Sequence, residues 1–444
     1  MSNKDKIRGE VGEKDSLMVR GFHEIVGSTE KTFSQIQHLV RTLLMATVAA
    51  SITGCDSSIP LEMDKPAECV STAPASPKVK KVDVCFMRWS EPDFVDLTDE
   101  LRAQLNAEFA ETTKFYLDAT YGHDKYDFEL IDSGAVWTGP APQESLPDEE
   151  EDSAIEACAP QIDDFKQIDT FVVFPSISAG DRSWGGRKTF HTPQGDIEMG
   201  IIRLPNRYQK NSTKPLNLDD LKHELGHTRL WNHAKEEVCY DNEGKQIAYS
   251  PDPSMCSLDE YGNPYDVMGG RVKRPDGKKI FGHPGAFFKL SDSLVTATTI
   301  VENSGEYPLA ALEVSCGNVP QLLTIPYSDT PLCLEYRQPI GIDESFSKEN
   351  IKKIFGFEAG LPEDGCVFLE FCSNPSNPTT TLLMQNDGGN SNDPGAKIQL
   401  NACIPREGFS APNLGIDISY TQSTINPDVV IVRVAGVDEN RLAK

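Results

Sequence analysis

The sequence predicts an α/β (α+β) domain over residues 81–305, followed by an all-β sandwich over 306–444. Three observations carry this. Between residues 81 and 204, strand patterns flank one long helical pattern. A short, histidine-rich helix comes next. Beyond residue 305 the chain breaks into short β-rich runs separated by turn residues, with no helical period.

The elements follow in order. In KKVDVCFMRW, Val82, Val84 and Phe86 alternate onto one face, a strand pattern. From residue 97 to 119, Leu97, Leu101, Leu105, Phe109 and Tyr116 recur about every fourth position, the stripe of an amphipathic helix. Tyr126, Phe128 and Leu130 alternate in the next strand. Residues 139–165 are Pro-rich and acidic and read as a surface excursion. TFVVFPSI (170–177) reads as a buried strand, and IEMGIIRL (197–204) as another ahead of the histidine helix. After 305 the runs are LEVSC, QLLTIPY, PLCLEYRQ, CVFLEFC, TTTLLMQ, AKIQLNAC, GIDISYT and DVVIVRVAG. They suit a sandwich or jelly roll.

The chain has 444 residues, a net charge of -26 and 25% charged residues. So acidic a surface repels nucleic acid and anionic membrane, so neither is expected as a direct partner. The eleven cysteines are scattered and include no CxxC pair, which suits disulfides in an oxidising compartment. Residues 43–54, LLMATVAASITG, have the length of a signal-peptide apolar region and are too short to span a bilayer. The run ends in ITGC, which resembles the bacterial lipobox and would make Cys55 a lipidated N-terminus. That leaves ten cysteines for pairing. Residues 1–54 are thus expected to be a leader and 55–80, rich in Ser, Pro and Ala, a flexible tether. Membrane contact is expected only through that lipid anchor.

The chemistry lies in HELGHTRLWNH, His223 to His233. Asn217 can cap the helix, and Asp219 and Asp220 favour its first turn. His223 and His227 are four apart and share a helix face, so both imidazoles can bind one Zn²⁺. Glu224 follows the first histidine, placed to take a proton from water without being a ligand. His233 supplies the third ligand only if the chain leaves the helix after His227 and folds back. Downstream, EYGNPYDVMGG (260–270) sets Met268 between turn residues. Tyr261 and Tyr265 in that segment are candidate hydrogen-bond donors to a tetrahedral oxyanion, and loop packing is the alternative reading. Cys239 and Cys256 bracket the stretch between His233 and Met268 and can brace it. Cys69 is read as a disulfide partner rather than a zinc-blocking switch. The polar loop 385–395 offers oxygens for Ca²⁺ but does not match the usual calcium loop, so a turn cluster is favoured there. His123, His191 and His283 lack ligand spacing.

HELGHTRLWNH followed by YDVMGG resembles the metzincin zinc endopeptidases, with their extended HExxH helix and later Met-turn, and the wording around it is most similar to the gametolysin family. LEYRQPIGID (334–343) has a weaker likeness of the same kind. The resemblance implies a metzincin-like catalytic domain, one catalytic zinc on His223, His227 and His233, and Glu224 as general base. It makes Met268 an apolar floor under the metal, and protein or peptide the substrate. Leu230 departs from the pattern, which has glycine there. Either Leu230 adopts the left-handed conformation at a cost of roughly 1–2 kcal/mol, or the turn forms elsewhere, at Asn232 for instance. Two other functions fit the residues: a non-catalytic surface lipoprotein with a structural zinc that binds glycan or protein, and a zinc hydrolase of non-peptide amides.

Overall fold

A computed structural model describes residue 69 and residues 74–437, apart from 90–95, 138–146, 177–182, 206–217, 248, 271, 329, 357–358, 374–375, 377 and 384–402. The expected leader, Cys55, most of the expected tether, Asn217, the loop 385–395 and nearly all of AKIQLNAC lie outside the described residues. The described part is a mixed α/β structure with several sheets and few helices.

Strands β1 (Lys78–Trp89), β2 (Asp124–Trp137), β3 (Thr170–Ser176), β4 (Trp184–Thr192) and β5 (Gly195–Pro205) form one sheet in the order β2-β1-β3-β5-β4. All pairings are parallel except β4 with β5, so β4 is an antiparallel edge. Successive side chains of a strand point to opposite faces, and both faces here are covered. Val82, Val84 and Phe86 of β1 pack with Val172, Phe174, Ile202 and Leu204 on one face, under α1 (Asp99–Ala119). Cys85 and Met87 pack with Phe171, Val173, Met199 and Ile201 on the other, under α2 (Pro147–Cys158). Thr98 caps α1, its hydroxyl accepting from Leu101 N–H at 3.1 Å.

The expected surface excursion is therefore partly core. Helix α2 buries Ala154, Ile155 and Cys158, and its Cys158 is bonded to Cys85 of β1. Its acidic first turn hid one apolar face from a reading of composition. Strand β4 was also not expected. Its core face carries glycine at Gly185, where an alternating apolar pattern would need a large residue.

Helix α3 (Asp219–Thr228) leads into β6 (Ala234–Tyr240), β7 (Gln246–Ile247) and β8 (Cys256–Asp259). After α4 (Ala286–Ser291) come β9 (Thr298–Ile300), β10 (Gly305–Ala310), β11 (Leu322–Ile325), β12 (Leu332–Arg337), α5 (Lys348–Phe355), β13 (Cys366–Ser373), β14 (Thr379–Leu383), β15 (Phe409–Ala411), β16 (Ile416–Gln422) and β17 (Val429–Ala435). One sheet runs β7-β6-β14-β13-β12-β11-β9, with β8 paired to β6. A second runs β10-β17-β16-β15. The two share an apolar core that includes Leu323, Leu334, Phe368, Ile418, Val430 and Val432. LEVSC does not form a strand; residues 312–316 are turn and irregular backbone ending at a disulfide.

The expected division near residue 305 does not separate the sheets. Strand β14 pairs in parallel with β6, Thr380 opposite Ala234, so strands from both sides of residue 305 make one sheet. Local patterning announces a strand but not its partner, and this pairing is about 150 residues apart in sequence.

Ten cysteines form five disulfides: Cys69–Cys316, Cys85–Cys158, Cys239–Cys256, Cys333–Cys372 and Cys366–Cys403. This count fits an extracellular or secreted protein. Among the described residues, no helix is long and apolar enough to cross a membrane.

Candidate metal centre

Helix α3 carries the first two histidines. Its N-cap falls on Leu218, without a side-chain cap, and Asp219 and Asp220 occupy the first turn. Asp219 accepts from Lys279 N–H at 2.6 Å, and Asp220 pairs with the Lys279 ammonium and accepts from Ser183 Oγ at 3.0 Å. These carboxylates sit at the positive end of the helix dipole and tie it to the segment around Lys279. Strand β4 lies directly against the helix. A Cβ on Gly185 would come within 2.5 Å of Glu224 O, so only glycine allows this approach.

The helix ends one turn after His223, and its end builds the site. The C-cap is Arg229, and Leu230 follows with φ +67°. Trp231 N–H reaches back to Gly226 O at 3.1 Å, and Leu230 N–H to His227 O at 3.0 Å. These two bonds with a left-handed residue between them make a Schellman motif. Leucine occupies the position that favours glycine. Leu230 is 51% exposed, so burial contributes little to its retention. Asn232 is not the left-handed residue; its N–H donates to Pro378 O at 2.9 Å instead.

The reversal brings His233 against the helix. Ring centroids lie 4.8 Å apart for His223 and His227, 4.9 Å for His227 and His233, and 5.6 Å for His223 and His233. One ligand nitrogen from each ring can be chosen so that all three lie within 4.8 Å of one another. Each Nδ1 is already engaged. His223 Nδ1 bonds Val267 O, His227 Nδ1 bonds Trp231 O, and His233 Nδ1 bonds Glu260 Oε1, each at 2.8 Å. A carbonyl can only accept, so Nδ1 of His223 and of His227 carries the proton and Nε2 keeps its lone pair. Outer-shell acceptors of this kind fix the tautomer and the ring orientation of metal-binding histidines.

Electrostatics points the same way. Burial pushes the His223 imidazole down to about 3, with His227 adding to the effect. Burial also lowers His227 to about 4 and lowers His233, against the raising influence of Glu260. All three rings are neutral at pH 7, the form that binds a divalent ion. Three neutral nitrogen donors suit zinc and other divalent transition metals.

Glu224 lines the same cavity as the three histidines, a space of about 520 Å³ also bordered by Trp184, Gly185, Tyr261 and Lys279. Of the two tyrosines in the Met268 segment, only Tyr261 lines the cavity; its ring stands 4.0 Å from that of His233. Tyr265 is fully buried away from it, its ring between Phe346 and Phe368, so the structure assigns it to packing. Met268 is buried against α3 at Gly226, where a Cβ would lie 2.2 Å from the methionine sulfur. It packs beneath the site and is not among the grouped ligands.

Two of the other histidines stand elsewhere: His191 is exposed beside Asp196, and His283 is buried against Lys289. Glu237, Cys239 and Cys256 also cluster, but the two sulfurs form a disulfide, and that bridge ties β6, which follows His233, to β8, which precedes Glu260. Sequence reasoning overlooked Glu260 as an orienting group, although it opens the segment EYGNPYDVMGG. It also overlooked Gly226, whose role is visible only once Met268 is placed against it.

Two predictions follow from the turn and the imidazoles. Replacing Leu230 by glycine relieves the left-handed strain at little packing cost, and the gain exceeds glycine's added chain entropy. Leu230→Gly is expected to raise the free energy of urea unfolding by about 0.5–1 kcal/mol; a variant less stable than wild type would refute the strain. The second concerns pH. A histidine with a folded pKa below 6.5 resists protonation in the folded state, so its ligand form persists as pH falls, until the lowered pKa is reached. If the three rings bind zinc, its affinity is expected to fall less than about 30-fold between pH 7.5 and 5, the most that His233 alone can contribute, whereas three histidines titrating near 6.5 would cost more than about 10,000-fold. Competition with a chelator across that range distinguishes the two.

No family model matches this chain, and no curated protein matches it significantly.

Proposed function

We propose that this protein is a zinc-dependent endopeptidase of metzincin type, acting on extracellular or cell-wall proteins. The observation that carries the reading is the shared cavity. Three neutral imidazoles with engaged Nδ1 atoms, His223 buried and His227 and His233 partly so, line the same cavity as Glu224. His223, His227 and His233 would hold the ion. When bound, zinc supplies a Lewis acid that polarises a carbonyl and makes water acidic.

The chain's own residues supply the rest. Glu224 accepts a proton from the attacking water and passes it to the departing amine. Tyr261 borders the cavity and can donate its hydroxyl to oxyanion charge as it develops. Strand β4 is the edge of its sheet, and its Trp184 and Gly185 line the cavity. An extended peptide can pair with such an edge, its scissile bond lying over the histidines. A structural zinc has no use for a base at Glu224, which favours catalysis over a binding-only lipoprotein.

Glu224→Gln removes the base and keeps the shape. It is expected to bind zinc as wild type does and to lose casein or peptide cleavage by about 10²–10⁴-fold. Wild-type cleavage should stop with chelator and return with zinc. Purified protein that holds one zinc and cleaves no peptide would leave the binding-only or non-peptide hydrolase reading in its place.

The five disulfides support export, and ITGC supports a lipid on Cys55, which would tether the enzyme to the cell envelope. Mass spectrometry of the native N-terminus checks this. A diacylated cysteine is expected, and an intact Met1 on mature protein rules the anchor out.

A further inference from the structure

Behind the Met268 turn lies a buried charge cluster that the proposed chemistry does not use. Arg337, the last residue of β12, is fully buried. Its Nε donates to Glu335 Oε1 at 2.6 Å, and its Nη1 donates to Asp343 Oδ2 at 3.1 Å, Tyr265 O at 2.6 Å and His283 O at 3.0 Å. Nη2 stands 4.0 Å from Asp266 Oδ2. Each of these carboxylates holds backbone in turn. Asp266 accepts from Met268 N–H at 2.7 Å and from Gly285 N–H at 2.6 Å. Glu335 accepts from Ala286 N–H at 2.7 Å, and Asp343 from His283 N–H at 2.7 Å.

The arrangement converges on four consecutive residues, Tyr265 to Met268. Arg337 grips the Tyr265 carbonyl, Asp266 grips the Met268 amide, and the carbonyl between them, Val267 O, receives His223 Nδ1–H. A second strand from beyond residue 305 works on the third histidine. Pro378 O, just ahead of β14, accepts Asn232 N–H, and β14 then pairs with β6 from Ala234 onward.

We infer that Arg337 is a positioning residue for the metal centre: through the Tyr265–Met268 turn it sets the Val267 carbonyl that orients His223. The inference rests on the zinc reading of the three histidines. A guanidinium suits the task because its donors form a rigid fork that can serve a carboxylate and two carbonyls at once. An ammonium keeps the charge among the carboxylates but cannot make all these bonds. Loss of such outer-shell support typically weakens metal binding 10–100-fold.

The test measures zinc affinity by chelator competition, the visible spectrum of the cobalt-substituted protein, and kcat and KM on a peptide. Arg337→Lys retains the buried charge balance. It is expected to keep the wild-type far-ultraviolet circular dichroism, bind zinc about tenfold or more weakly, shift the cobalt bands, and lower kcat with KM within about twofold. Val432→Ala is the control; it opens a cavity in the shared β core far from the cluster in the chain, and is expected to lose stability with zinc affinity and cobalt spectrum unchanged. Wild-type zinc affinity and cobalt spectrum in Arg337→Lys would overturn the inference, as would an equal loss of affinity in Val432→Ala. If Arg337→Lys does not fold, Asp266→Asn, which replaces one of the two oxygens that accept from Met268 and Gly285 with an amide donor, is judged by the same readouts and the same two outcomes. Wild-type protein that binds no zinc would instead overturn the zinc reading itself.

Discussion

A straight helix cannot present histidines at the first, fifth and eleventh positions to a single point, so the candidate metal centre depends on how α3 stops. The Schellman bonds from Trp231 and Leu230 end the helix within a turn of His227 and send His233 back across it. The same reversal presents Trp231 O to His227 Nδ1, so one turn both delivers the third ring and orients the second. Leu230 bears the backbone cost. Of order 1–2 kcal/mol, that cost would be small beside the gain from closing the proposed zinc site, roughly 10–16 kcal/mol for structural zinc.

Close approach is the second requirement. The site is built where helix, edge strand and Met268 turn come nearer than ordinary side chains allow. Gly226 makes room for the Met268 sulfur and Gly185 for the Glu224 backbone. Hydrogen bonds then stitch the pieces: Ala234 N–H to Met268 O and Asn263 N–H to Ala234 O, both at 3.2 Å, join the strand after His233 to the turn beneath the site. Ligand geometry is therefore set by backbone contacts between segments, and less by the histidine side chains themselves.

The strongly acidic exterior contrasts with the interior around Arg337, where one guanidinium lies among Glu335, Asp343 and Asp266. Burying such charges is costly unless every partner is satisfied, and truncating one member of such a set is usually more damaging than never having had it. Here the carboxylates spend their remaining oxygens on backbone amides of residues 268 and 283–286. The cluster thereby joins the strands beyond residue 305 to the Met268 turn, which gives a physical reason for their place in a common fold.

Much of the site was legible in the residues from His223 to Met268, because helical spacing puts His223 and His227 on one face whatever surrounds them. The strands β1, β3, β5, β12, β13, β16 and β17 were legible too, since alternation or a continuous apolar run survives without knowledge of the partner. Helix α2 and strand β4 were not. The first hides a narrow apolar face in acidic sequence, and the second uses glycine where a close neighbour replaces a side chain. The role of Tyr265 was open in the sequence, because a tyrosine three residues before a methionine can face the cavity or the core; packing against Phe346 and Phe368 turned it inward. What the sequence by itself determined was local: which residues could be ligands, which segments were periodic, how many cysteines could pair. Tertiary structure alone decided that Leu230 would carry the left-handed turn, that Glu260, Val267 and Trp231 would hold the three rings, and that a strand after residue 305 would pair with the one after His233. Those choices depend on contacts between segments distant in the chain, and no local pattern encodes a partner.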